Sequence, residues 1–128
     1  MKINYQSLEK KIDLKFKNKD LLIQALTHKS FNPNENNEKI EFLGDRVLGL
    51  VIAKKLLEIY PEEKEGILDK KFASLVNKKT CLDIAKKINL ASYVKTFNPN
   101  NKKIKIEDKI ISDSCEALIG AIYLDKGF

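Results

Sequence analysis

The sequence predicts an all-α fold. Apolar residues recur at helical spacing along most of the chain, strict apolar–polar alternation is confined to Lys103–Glu107, and Asn and Pro residues punctuate the intervals. At 128 residues the chain is long enough to bury one core and too short for two full domains, so residues 1–128 are expected to form a single unit.

Taken in order, Met1 to Lys11 sets Lys2, Lys10 and Lys11 among Tyr5 and Leu8, without the apolar centre of a secretory leader. Asn18 is placed to cap a helix carrying Leu21, Leu22, Ala25 and Leu26, and Asn32-Pro33-Asn34 then interrupts the chain as a loop. From about Asn37 to Tyr60 the spacing predicts a long central helix, with Ile40, Leu43, Val47, Leu50 and Val51 as apolar positions and Pro61 as its end. Beyond Phe42 this helix is apolar nearly all round, which predicts deep packing. An acidic loop, Glu62 to Glu65, leads to two amphipathic helices, one carrying Leu68, Phe72, Leu75 and Val76, the next Cys81, Leu82, Ala85 and Ile88. Phe97 to Lys103 reads as an exposed polar loop, and a final apolar helix follows from about Lys109 to Leu124. The chain ends directly afterwards at Gly127-Phe128, where a compact domain would normally add another packed element; truncation, or swapping of that element, is the expectation.

Composition narrows the class. No apolar run approaches the roughly 20 residues needed to span a bilayer, so the chain is expected to be cytoplasmic with no membrane partner. Cys81 and Cys115 lie far apart with no CxxC pairing and no neighbouring histidine, which predicts two reduced, packed thiols and neither a zinc site nor a disulfide framework. A net charge of +6, carried almost wholly by lysine, favours a polyanionic partner through counterion release, although Lys and Asn richness equally suits a coding bias.

The acids are the anomaly. Glu38, Glu41 and Asp45 are spaced i, i+3, i+7 on one face of the central helix, where like charges repel. Asp113 and Glu116, at i and i+3, sit inside the equally apolar final helix, and Ala117, Gly120 and Ala121 beside them allow a second helix to approach closely. Buried carboxylates in pairs are costly unless a cation or proton neutralises them. Acids without a histidine among them form a hard oxygen set suited to Mg²⁺ or Mn²⁺ and unsuited to zinc. Solvated acids paired with lysines would explain one such residue better than two clusters within the most apolar helices. A di-iron bundle would need Glu-x-x-His pairs, and the lone histidine, His28, has Ala25 at that offset.

The segment Asn37-Glu38-Lys39-Ile40-Glu41-Phe42-Leu43-Gly44-Asp45-Arg46-Val47-Leu48 closely resembles the ribonuclease III signature, N-E-R-L-E-F-L-G-D-A-V-L. Three further segments match in order: Ala25 to Ser30, Glu65-Gly66 with Ala73 to Val76, and Asp113 to Ala121. The resemblance implies the helical endonuclease-domain fold of that family, and hydrolysis of double-stranded RNA to 5′-phosphate and 3′-hydroxyl ends with Mg²⁺, or Mn²⁺ as substitute, in RNA processing. It also implies a homodimer that places two sites across the duplex and leaves short 3′ overhangs. By position, Glu41, Asp45, Asp113 and Glu116 would be the metal-site acids, with Asp45 and Glu116 as the catalytic pair. Glu38 and Glu65 would shape the cleavage site and assist metal or water binding. Phe42 matches an aromatic that plugs a socket on the partner subunit; plain core packing is its alternative. Arg46 stands where the family usually has a small residue, and Phe72 where an arginine is common. No double-stranded-RNA-binding domain follows in this chain. His28 lies outside the family's metal cluster and is expected to be a hydrogen-bonding structural residue, not a general base. A non-cleaving RNA-binding or ribosome-associated module of the same fold is the main alternative, but it should have lost metal acids. A purely structural dimerising domain is disfavoured by the positive charge.

Overall fold

The structure, a computed structural model, describes residues 2–97 and 106–128. The predicted loop beyond Phe97, and residues 103–105 of the alternating run, lie outside the described residues. Six α-helices are present in the described part: α1 (Tyr5–Ile12), α2 (Lys19–Ala25), α3 (Glu38–Ile59), α4 (Glu65–Leu75), α5 (Lys78–Lys87) and α6 (Asp108–Lys126), with a single 3₁₀ turn at Leu90–Tyr93. Among the described residues there is no strand, only an isolated bridge between Thr27 and Lys95. The all-α expectation holds.

Helix boundaries follow the caps. Asn18 accepts from the Leu21 amide and Asn77 from that of Thr80, each satisfying an otherwise orphaned donor of a first turn. Asn4 does the same for α1 through Ser7. This first helix has no counterpart in the sequence expectation. Its signal is three apolar residues, Tyr5, Leu8 and Ile12, at i, i+3, i+7 among lysines. It docks by burying Leu8 and by holding a buried carboxylate, Glu9, which accepts from the Phe16 amide at 2.7 Å and from Lys19 Nζ at 2.6 Å. Glu65, expected in the acidic loop, is instead the first residue of α4.

α6 is the centre of the molecule: every residue from Ile111 to Leu118, with Gly120 and Ala121, is buried. It packs against α2, α3, α5 and the 3₁₀ turn. Its closest neighbour is α3, and two glycines permit the approach: a Cβ on Gly44 would overlap the Glu116 carbonyl oxygen, and one on Gly120 that of Ile40. Cys81 and Cys115 are free, buried thiols in this core.

The deep packing expected for α3 does not occur within one chain. Only Ile40, Gly44 and Leu56 are buried, while Phe42, Leu50 and Leu57 are 62%, 58% and 60% exposed. α6 covers one side and α4 leans on another, with the Phe72 ring near Gly49, but α4 itself buries none of its residues. An apolar face therefore stays open, and core packing is excluded for Phe42.

Candidate active site

The i, i+3, i+7 face of α3 and the i, i+3 pair of α6 meet where those two helices touch. Glu38, Glu41, Asp45, Asp113 and Glu116 all line one cleft of about 480 Å³, with Lys78, Lys109, Lys29 and His28 around them. The close approach at Gly44 and Gly120 makes this convergence possible, because a larger residue at either position would push the acidic faces apart. Asn37, buried just ahead of α3, donates to Ser114 Oγ at 3.4 Å and pins the start of that helix to α6. Glu65 does not line the cleft of its own chain; it stands exposed at the start of α4.

The acids differ in environment. Asp113 and Glu116 are buried by α6, Glu41 is half-buried, and Glu38 and Asp45 face solvent. Lys78 Nζ sits 2.6 Å from Glu116 Oε1, 2.7 Å from Asp113 Oδ1 and 3.8 Å from Glu41 Oε1. Lys109, one helical turn before Asp113, caps its other oxygen at 2.8 Å. Burial opposes ionisation of Asp113, yet Lys109 and Lys78 hold its carboxyl below the usual value. Glu41 shows the opposite balance: burial, then the charge of Asp113, push it up to about 7 against the pull of Lys78. Among these three acids Glu41 is thus the least served by the lysines, with Lys78 at 3.8 Å.

Sequence reasoning missed Lys78. The available signal was a lysine in the first turn of a helix, after the Asn77 cap, where the helix dipole disfavours it. Lys109 was missed as well; its signal was its place four residues before Asp113 on the same helix. Arg46, the departure from the family pattern, lies with its guanidinium 3.8 Å from the Phe42 ring centre and 3.4 Å from Asp45 Oδ2. It thereby joins an exposed aromatic to an exposed acid. His28 accepts from the Ser30 amide through Nδ1 at 3.1 Å, which places the proton of the neutral ring on Nε2. That is a structural role, although the ring reaches the cleft edge.

Among the described residues, no three carboxylate, histidine or cysteine side chains close on one point in ligating geometry. The ammonium of Lys78 stands between those that come nearest. Fit to a divalent metal rests on two features of this arrangement: every acidic donor is a hard carboxylate oxygen, and the place they surround already holds a cation.

A family model described as ribonuclease-III-like matches residues 18–128. Ribonuclease 3 of Pelagibacter ubique is 71% identical over 127 residues, covering 99% of this chain and 57% of its own length. Ribonuclease 3 of a Sulfurovum species is 43% identical over 125 residues, covering 97% and 56%. The chain thus spans a little over half the length of these curated relatives. Among solved structures, the nuclease domain of ribonuclease III from Campylobacter jejuni, described with a flexible region involved in dimer formation, superposes with a TM-score of 0.90 at 44% identity. That match covers 97% of this chain and 87% of the other.

Proposed function

The chain belongs to the ribonuclease III-like family, and from that membership we propose that it is the catalytic unit of a divalent-metal-dependent endoribonuclease acting on double-stranded RNA in the cytoplasm. The observation that carries this reading is the cleft in which α3 and α6 gather Glu41, Asp45, Asp113 and Glu116, the buried pair among them already holding the ammonium of Lys78.

Glu41, Asp45, Asp113 and Glu116 would hold the metal, Mg²⁺ with Mn²⁺ as substitute. Bound there, it would supply Lewis-acid polarisation of a backbone phosphate and a water acidic enough to attack at neutral pH. The chain's own contribution is orientation. Asp113 and Glu116 are fixed by the buried surface of α6, so their oxygens are preorganised before substrate arrives. Asp45 and Glu38, exposed at the mouth, would face the scissile phosphate across the metal, and Lys29, also at the mouth and exposed, would meet neighbouring phosphates. Water attack at phosphorus with departure of the 3′-oxygen leaves 5′-phosphate and 3′-hydroxyl ends.

A homodimer would bring two clefts to one duplex, and the open apolar face of α3, with Phe42 at its end, is the surface offered for it. Glu65, absent from the cleft of its own chain, could assist cleavage only from a second copy. Membership of the family says nothing against a non-cleaving module, but the retained acids favour the enzyme.

The test is gel analysis of a long RNA duplex incubated with the pure chain, with and without Mg²⁺, beside Glu116→Gln. Metal-dependent cutting that falls by more than about 100-fold in the variant is expected, since one ligand is lost at constant volume. Wild-type turnover by Glu116→Gln would refute the site.

A further inference from the structure

α5 begins with Lys78, in the turn where the positive end of a helix dipole makes a lysine unfavourable. Nothing local compensates; the compensation comes from α3 and α6, whose carboxylates receive its ammonium at 2.6, 2.7 and 3.8 Å. The side chains of Asp113 and Glu116 are only 13% and 5% exposed, whereas that of Lys78 is 58% exposed, so its stem runs in from solvent and only its head enters the acidic cluster. A residue that breaks a local preference to reach a functional cleft is where sequence rules yield to function.

The two cations exclude one another. Oxygens that bind a small divalent ion do so at about 2.0 to 2.1 Å, and an ammonium hydrogen-bonded to the same oxygens would lie against that ion with like charge. We propose that Lys78 is a tethered counter-cation: its ammonium holds Glu41, Asp113 and Glu116 together in the metal-free protein, and a divalent metal enters by displacing it. The exposed stem lets the head swing out to solvent without disturbing the core. Lys78 then acts as a positioning residue that keeps the buried acids assembled and sets how much metal is needed to load the site. This rests on the metal-site reading above.

The test is titration of Mn²⁺ into metal-free wild type, Lys78→Gln, Lys78→Arg and Glu116→Gln, followed by the free-ion paramagnetic resonance signal. Removing the ammonium should tighten Mn²⁺ binding by about tenfold or more, because two charge-assisted hydrogen bonds no longer have to break. Lys78→Arg, which keeps the charge, should stay near wild type. Metal-free Lys78→Gln should melt below wild type and regain more of its stability on adding Mn²⁺. Should it be unfolded without metal, refolding on Mn²⁺ addition, read by circular dichroism, supports the same competition, and failure to refold at saturating Mn²⁺ overturns it. Equal or weaker binding by Lys78→Gln, with binding still lost in Glu116→Gln, overturns the role of Lys78 alone. Absence of saturable binding in every variant, or binding unchanged by Glu116→Gln, overturns it together with the metal-site reading.

Discussion

Glu41 stands between two helices, close enough to Asp113 and Glu116 to feel their charge and only partly served by Lys78 at 3.8 Å. Its carboxyl is raised from an ordinary value of 4.5 to about 7, so the folded protein binds more protons than the unfolded chain between those limits. Stability contributed by this group is therefore present at low pH and lost as pH rises towards and through 7. Asp113 works the other way, its depressed carboxyl adding stability that disappears only as the solution becomes acidic enough to protonate it. In metal-free buffer the melting temperature should fall between about pH 5 and 8, by an amount equivalent to roughly 1–3 kcal/mol. Glu41→Gln should remove that slope and raise stability at pH 8; a slope that survives the substitution would show that another group causes it. The acids themselves were legible because each breaks the apolar pattern of its helix. Their partner Lys78 was not, since its one signal, an unfavourable place in the first turn of α5, is shared with Lys79, and its role depends on where α5 ends up relative to α3 and α6.

At the level of elements, the site depends on two backbones in contact. A methyl group at Gly44 would overlap the carbonyl of Glu116, an obstacle made of backbone, so relief requires α3 and α6 to separate. Gly44→Ala should destabilise the protein by about 2–3 kcal/mol in urea unfolding. It should also lower cleavage beyond what the lost stability explains, because the acids of the two helices would no longer share one cleft. Full activity in a folded Gly44→Ala protein would contradict this dependence. The sequence announced this contact through small residues beside Asp113 and Glu116, and it announced α2 to α6 through periodicity, with Asn18 as the one cap it named. It did not reveal α1 or the turn at Leu90–Tyr93, whose few apolar residues acquire meaning only against the core. It also overstated the burial of α3, because an apolar surface reads identically whether its cover comes from the same chain or another.

On the scale of the whole molecule, that uncovered surface has a direction. Phe42, Leu50 and Leu57 recur at i, i+8, i+15, on one side of α3, and all are more than half exposed. If a second copy covers them, sedimentation should show a dimer, and Phe42→Ala should shift it towards monomer without lowering metal affinity. An unchanged dimer would place the interface elsewhere. Binding to RNA poses a separate question, since this chain offers a net charge of +6 and a cleft of limited size. Affinity should fall steeply with salt as phosphate counterions compete. Duplex DNA of the same sequence should not be cut, since an RNA duplex is recognised by its shape and its 2′-hydroxyls. Cleavage of both duplexes across a NaCl titration measures this, and activity indifferent to salt, or equal on DNA, would refute the assignment.

The order in which the chain delivers the site has a consequence for its synthesis. Glu38, Glu41 and Asp45 leave the ribosome with α3, while Asp113 and Glu116 arrive only with α6, against which α2, α3, α5 and the 3₁₀ turn pack. Until α6 emerges, α2, α3 and α5 have no common surface to bury against, and the acids of α3 remain ordinary solvated side chains. A nascent chain short of Asp108 therefore carries only three of the five acids that line the cleft, all on α3. The two sets of acids share one cleft only once α6 has seated against α3.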